Sequence, residues 1–277
     1  MAEKEKTKNQ EEGQAMSFWS HLEELRGHLI RSAVSVFLLA IGAFIAKDII
    51  FDFVILAPKE PYFITNRAFC YLADVLSAPA LCINQIPVQI INIELAGQFK
   101  THILVSLIVG VIVAFPFILW EFWKFIKPAL HPREKANSRG AVFVTSLLFI
   151  SGVCFSYFLI APLTINFLGS YQVSDMVTNQ IALRSYITTV TMVTFATGIV
   201  FELPIIVYFL SRVGILTPEF MKKNRKTAFI LIIALSAIIT PPDVFSQILV
   251  GIPLYVLYEI SIGISKRVVK QREEEEI

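Results

Sequence analysis

Five times along this 277-residue chain, about 20 residues pass with scarcely a charge, and a sixth, shorter apolar stretch joins them. A helix needs roughly 20 predominantly apolar residues to cross a bilayer, so such windows dictate a fold solved against lipid. The windows fall at about Leu29–Ala46, Ile103–Ile126, Ala141–Ile160, Tyr186–Leu210, Thr227–Ile239 and Val244–Ile264. With 55% hydrophobic and 17% charged residues and a mean hydropathy of +0.66, the chain carries more apolar surface than a soluble core of this size can hide.

Local breaks refine the windows. Pro116 predicts a kink in the second, Pro162 an end to the third, and Glu202 with Pro204 an interruption of the fourth. Only about 13 apolar residues precede Pro241-Pro242-Asp243, so the fifth helix spans roughly 20 Å, short of a hydrocarbon core of about 30 Å, and the bilayer should thin there.

Orientation follows from the basic residues. Most of the 24 lysines and arginines fall in the N-terminal segment, the second-to-third and fourth-to-fifth connections, and the tail. The positive-inside rule therefore places both termini in the cytoplasm, and 57–98 becomes an external cap of short helices, joined there by Ala161–Ser185. The expected organisation is a polar tail over 1–16, one six-helix domain over 17–265 and a charged cytoplasmic tail over 266–277. The polar stretch Met1–Gln14 does not read as a cleavable signal peptide. A net charge of +2, spread over short loops, gives nucleic-acid binding no support.

Several residues call for a reason. Glu202, near the middle of a window, must be protonated, paired or wetted; it reads either as a neutral acid bonded to a neighbouring helix or as a functional polar site. Ser17–Leu29 spaces Phe18, Leu22, Leu25 and Leu29 as an amphipathic helix along the inner membrane surface, with Glu23, Glu24 and Gly27 opposite. That face alone reads as solvated. Asp243 suits an N-cap of the sixth helix. Cys70 and Cys82 share one loop and are a disulfide candidate in an oxidising compartment, against two free thiols, whereas Cys154 reads as packing. Hydrolase and nucleotide-loop motifs do not occur, no metal spacing is found, and neither an enzyme nor a cofactor is implied.

Four motifs in order give the chain a family resemblance. His21-Leu-Glu-Glu-Leu-Arg26, Phe125-Ile-Lys-Pro-Ala-Leu130 with Glu134, Phe201-Glu-Leu-Pro204 and Thr240-Pro-Pro-Asp-Val-Phe-Ser-Gln247 resemble those of TatC, the multispanning receptor subunit of the twin-arginine protein translocase. Where that family usually shows a second basic residue after the first arginine, this chain has Gly27-His28.

The resemblance implies an all-α, multi-pass protein of the bacterial inner membrane. Six transmembrane helices would form a concave, glove-like bundle with helices five and six short. It implies docking of twin-arginine signal peptides of folded cargo at Glu24, Arg26, Phe125 and Glu134, and partner contacts of TatA- and TatB-type single-span subunits at Glu202 or Gln247. Asp243 would lie at the turn between helices five and six, transport would draw on the proton gradient, and self-association is left open. The rival reading is a proton- or ion-coupled transporter of a small solute with Glu202 as its ion site, although the internal repeats typical of such proteins are not found.

Overall fold

The computed structural model describes residues 18–85, 88–126, 138–174, 176, 179–240 and 244–276. Among these, five helical stretches are long and apolar enough to cross a membrane: Leu22–Ile45, Gly97–Ile126, Val142–Ser170, Leu183–Arg212 and Ser246–Arg272. The sixth is helix α9 (Arg225–Ile239), whose 15 residues rise only about 22 Å. Its brevity matches the short apolar run before the paired prolines.

The first span is one unbroken helix, α1 (Phe18–Ile45). The amphipathic stretch expected over Ser17–Leu29 leads straight into the span: no break separates Phe18 to Leu29 from the membrane window, and Gly27 is carried within the helix. A π-helical turn (Ile49–Ile55) then leads to the external cap, where α2 (Ile64–Val75) lies beside the Cys70–Cys82 disulfide. Asn66, fully buried, donates to the carbonyls of Pro58 (3.0 Å) and Glu60 (2.7 Å), and Asn84 donates to the side-chain oxygen of Asn66 (3.1 Å) and to the Pro162 carbonyl (3.0 Å). Two amides thus bind cap to bundle.

Helix α3 (Gly97–Ile126) contains Pro116 without interruption. Helix α4 (Ser138–Phe155) passes through a π-helical stretch (Ser156–Ile160) into α5 (Ala161–Ser170), so the third span does not end before Pro162. Proline lacks the N–H that would bond the carbonyl four residues back. Here that carbonyl, Phe158, accepts the Thr65 hydroxyl of the cap, and the helix runs on.

Residues Ile90–Ile91 (β1) pair in parallel with Ile181–Ala182 (β2), which feeds α6 (Leu183–Val200). After a break at Phe201–Glu202, α7 (Leu203–Arg212) completes the fourth span; α8 (Pro218–Lys223) precedes α9. Helix α10 (Val244–Glu276) has 33 residues, so the sixth helix is long, and 266–276 extends it as helix. Lys, Arg and Glu are good helix formers, and Lys270 pairs with Glu274 one turn on (3.7 Å), so charge here ends the membrane but not the helix.

Packing is thin, as lipid replaces much of a soluble protein's core. Phe37 is 66% exposed and Ile238 81% exposed, outward-facing positions that only hydrocarbon can cover. Toward the outer end, Ile55, Val105, Ile165, Tyr186 and Ile187 pack together, and the Tyr186 hydroxyl donates to the Ile55 carbonyl (2.9 Å). A second core gathers Ile160, Val193, Ile232, Val250 and Leu254 from the third to sixth spans.

Candidate functional site

Helices α1 and α3 run antiparallel, and their inner ends hold the densest charge cluster among the described residues. Glu121, only 1% exposed, lies within the apolar stretch of α3 beside Trp120, Phe122 and Trp123. A buried carboxylate is costly unless its oxygens are filled, and an imidazole, a guanidinium and an ammonium fill them. His28 Nδ1 approaches Oε2 at 2.8 Å, Arg31 Nε the same oxygen at 2.9 Å, and Lys124 Nζ reaches Oε1 at 2.7 Å. Arg31 Nη2 also lies 3.2 Å from His28 Nδ1. One ring nitrogen cannot donate and accept at once; the shorter, charge-assisted contact assigns its proton to Glu121.

Local sequence builds this rim. His28 and Arg31 stand three residues apart on one face of α1, as do Glu121 and Lys124 on α3. Phe125, one turn beyond Glu121, presents an edge to the His28 ring at 6.1 Å, and Lys124 rides over the Trp120 ring at 5.5 Å. Glu24 is half-buried one turn before His28, and no ion pair joins it to another described residue. Arg26 is exposed nearby.

The motif residues thus divide. Glu24, one turn before His28 on α1, and Phe125, in ring contact with His28, come to the same rim. Glu134 and Asp243 lie outside the described residues. Glu202 sits apart, in the break between α6 and α7, 8% exposed, with neither carboxylate oxygen meeting a hydrogen-bond partner among the described residues. Gln247 Nε2 donates to the Ile233 carbonyl (3.0 Å) and so ties α10 to α9. Glu121 itself escaped the sequence reading, although an acid inside an apolar window is the same signal that drew notice to Glu202.

The profile of the family described as "Sec-independent protein translocase protein (TatC)" matches residues 20–253 of this sequence. The chain belongs to the TatC family. It is 39% identical over 259 residues to the Sec-independent protein translocase protein TatC of Blattabacterium sp. subsp. Periplaneta americana, covering 93% of this chain and 97% of that protein. Its identity to TatCy of Bacillus subtilis is 32% over 253 residues, covering 91% and 89%. The crystal structure of the twin arginine translocase receptor TatC matches 90% of this chain and 99% of that one with a TM-score of 0.67 at 34% identity. The same receptor in DDM matches with a TM-score of 0.71 at 33% identity, over 88% and 99%. As a TatC-family member the chain is a multi-pass component of a protein translocase and not an enzyme, and the small-solute transporter reading falls.

Proposed function

We propose that this TatC-family chain is the signal-peptide receptor of its translocase. The two arginines of an incoming signal dock on the inner rim, one at Glu24 and the other at Glu134. The observation that carries this reading is the contrast between two carboxylates one helix apart. Glu121 is saturated by Arg31, Lys124 and the His28 ring, whereas Glu24, half-buried, has no ionic partner among the described residues. A guanidinium is planar, permanently charged and able to grip a carboxylate with two parallel N–H bonds; lysine offers only a point charge. Each charge-assisted bond in such a partly shielded place is worth about 1.5 to 3 kcal/mol. Arg26 belongs to the same docking stretch, and Phe125 supplies an aromatic wall for the signal's apolar part.

Assembly follows in the same terms. A buried carboxyl without a bonding partner among the described residues, Glu202, suits a polar side chain brought by a neighbouring single-span helix of the TatA or TatB type, and Gln247 on α10 offers a second polar contact. The proton gradient would then drive passage of folded cargo.

The test uses the full chain in membranes and a synthetic signal peptide with a photoreactive group beside its arginines. Glu24→Ala combined with Glu134→Ala should abolish crosslinking while the protein stays inserted, and a twin-lysine peptide should crosslink poorly to the native chain. Undiminished crosslinking in the double variant refutes the assigned site.

A further inference from the structure

Two permanent cations, Arg31 and Lys124, and the His28 ring around one buried carboxylate leave a local surplus of positive charge at a rim that, on the docking reading above, must attract a doubly positive peptide. How the surplus is arranged therefore matters. Glu24, His28 and Arg31 lie along one stripe of α1, so a protonated His28 is the natural one-turn partner of Glu24. His28 instead turns its Nδ1 to Glu121 across the helix pair, at 2.8 Å, a buried residue with its ring against Phe125. Arg31, its side chain 58% exposed, is likewise held at the same oxygen. Lys124 takes the other.

We infer that Glu121 is a positioning residue for the docking rim: by holding His28, Arg31 and Lys124 it keeps the chain's own donors off Glu24 and leaves that carboxylate to the incoming arginine pair. The inference rests on the proposed docking of twin-arginine signals. It assigns Glu121 no contact with the peptide. Its action is electrostatic, one unit of negative charge set in a low-dielectric place beneath the acceptor.

Charge-balanced variants separate this role from a merely structural clasp. In the full chain in membranes, Glu121→Gln keeps the shape and an acceptor oxygen but frees one unit of positive charge, and should lower the crosslinking yield of the photoreactive twin-arginine peptide about fivefold. Glu121→Gln combined with Lys124→Gln restores the charge balance while removing a further bond, and should recover most of the native yield. A clasp that only held α1 to α3 would gain nothing from Lys124→Gln, because Lys124 and Glu121 both stand on α3, so the double variant would stay as low as the single one; that result, or an unchanged yield in Glu121→Gln, overturns the inference. Should Glu121→Gln fail to accumulate in the membrane, Lys124→Gln alone decides: half-exposed, it should be tolerated, and loss of a competing cation should raise the yield above native, whereas an unaltered or lower yield overturns the role. A native chain that crosslinks twin-lysine as well as twin-arginine peptide would sink the docking reading itself. A native preference for arginine combined with indifference to Glu121→Gln would sink only the positioning role.

Discussion

Gly110 on α3 lies directly against the backbone of Ala40 on α1: a Cβ on Gly110 would stand 2.8 Å from the Ala40 nitrogen, closer than packed atoms tolerate. From this crossing the two helices run inward for about three turns to the meeting of His28 and Glu121. One glycine therefore sets the separation at which the rim's charges can touch. Gly110→Val should cost about 1 to 3 kcal/mol by overpacking and pull the inner ends out of register. Thermal unfolding in detergent reads the first effect. Loss of a disulfide between cysteines introduced at Ser32 and Phe117, if these form one in the native background, reads the second; an unchanged melting temperature would show that the crossing can yield.

Thr65 supplies the donor that Pro162 withholds from Phe158. Thr65→Val deletes that donor with little change of shape and should lower stability by about 1 kcal/mol, while Thr65→Ser, which keeps the hydroxyl, should stay near native. Equal melting temperatures for the two variants would show that the freed carbonyl needs no partner from the cap.

Glu94, beyond the membrane spans, accepts from Arg184 at 3.3 Å and from Lys100 at 3.4 Å; the Arg184 guanidinium first, then the Lys100 ammonium, hold its carboxyl below the ordinary carboxylate range. A depressed folded-state value means stability that is present above the unfolded value and is lost as pH falls through the folded one. The native chain should therefore outlast Glu94→Gln at neutral pH, and the small gap between them should close as acidification passes through and below the ordinary carboxylate range. A gap that widened on acidification would contradict the pairing. Glu94 is partly exposed and both its partners are exposed, which keeps the effect modest and salt-sensitive.

Glu202 has no internal bond to lose among the described residues, so Glu202→Ala should leave folding near native, or improve it, while impairing export of a twin-arginine reporter. Comparable loss of folded protein and of export would return Glu202 to a structural role.

The spans were legible because lipid rewards a plain code: apolar runs of sufficient length appear as α1, α3, α6 and α10, and even the shortness of α9 could be counted from Thr227 to Ile239. Two boundaries misled for definable reasons. Pro162 ends a helix only when its orphaned carbonyl finds no donor, and Thr65 is 93 residues from Phe158. The charged stretch after Ile264 reads as a tail on hydropathy, whereas its helix propensity is high. At the site, Glu24 and Phe125 were marked by motif. Glu121 was not, because what tames its charge is His28, 93 residues away, and no local pattern announces a partner at that remove.

Helix α10, 33 residues and about 50 Å long, outreaches the roughly 30 Å of hydrocarbon it crosses. It behaves as a dipstick. When the bundle leans, its inner tip must swing through an arc, so a fluorophore at Glu274 would turn a change of a few degrees inside the bilayer into a measurable displacement over the cytoplasmic surface.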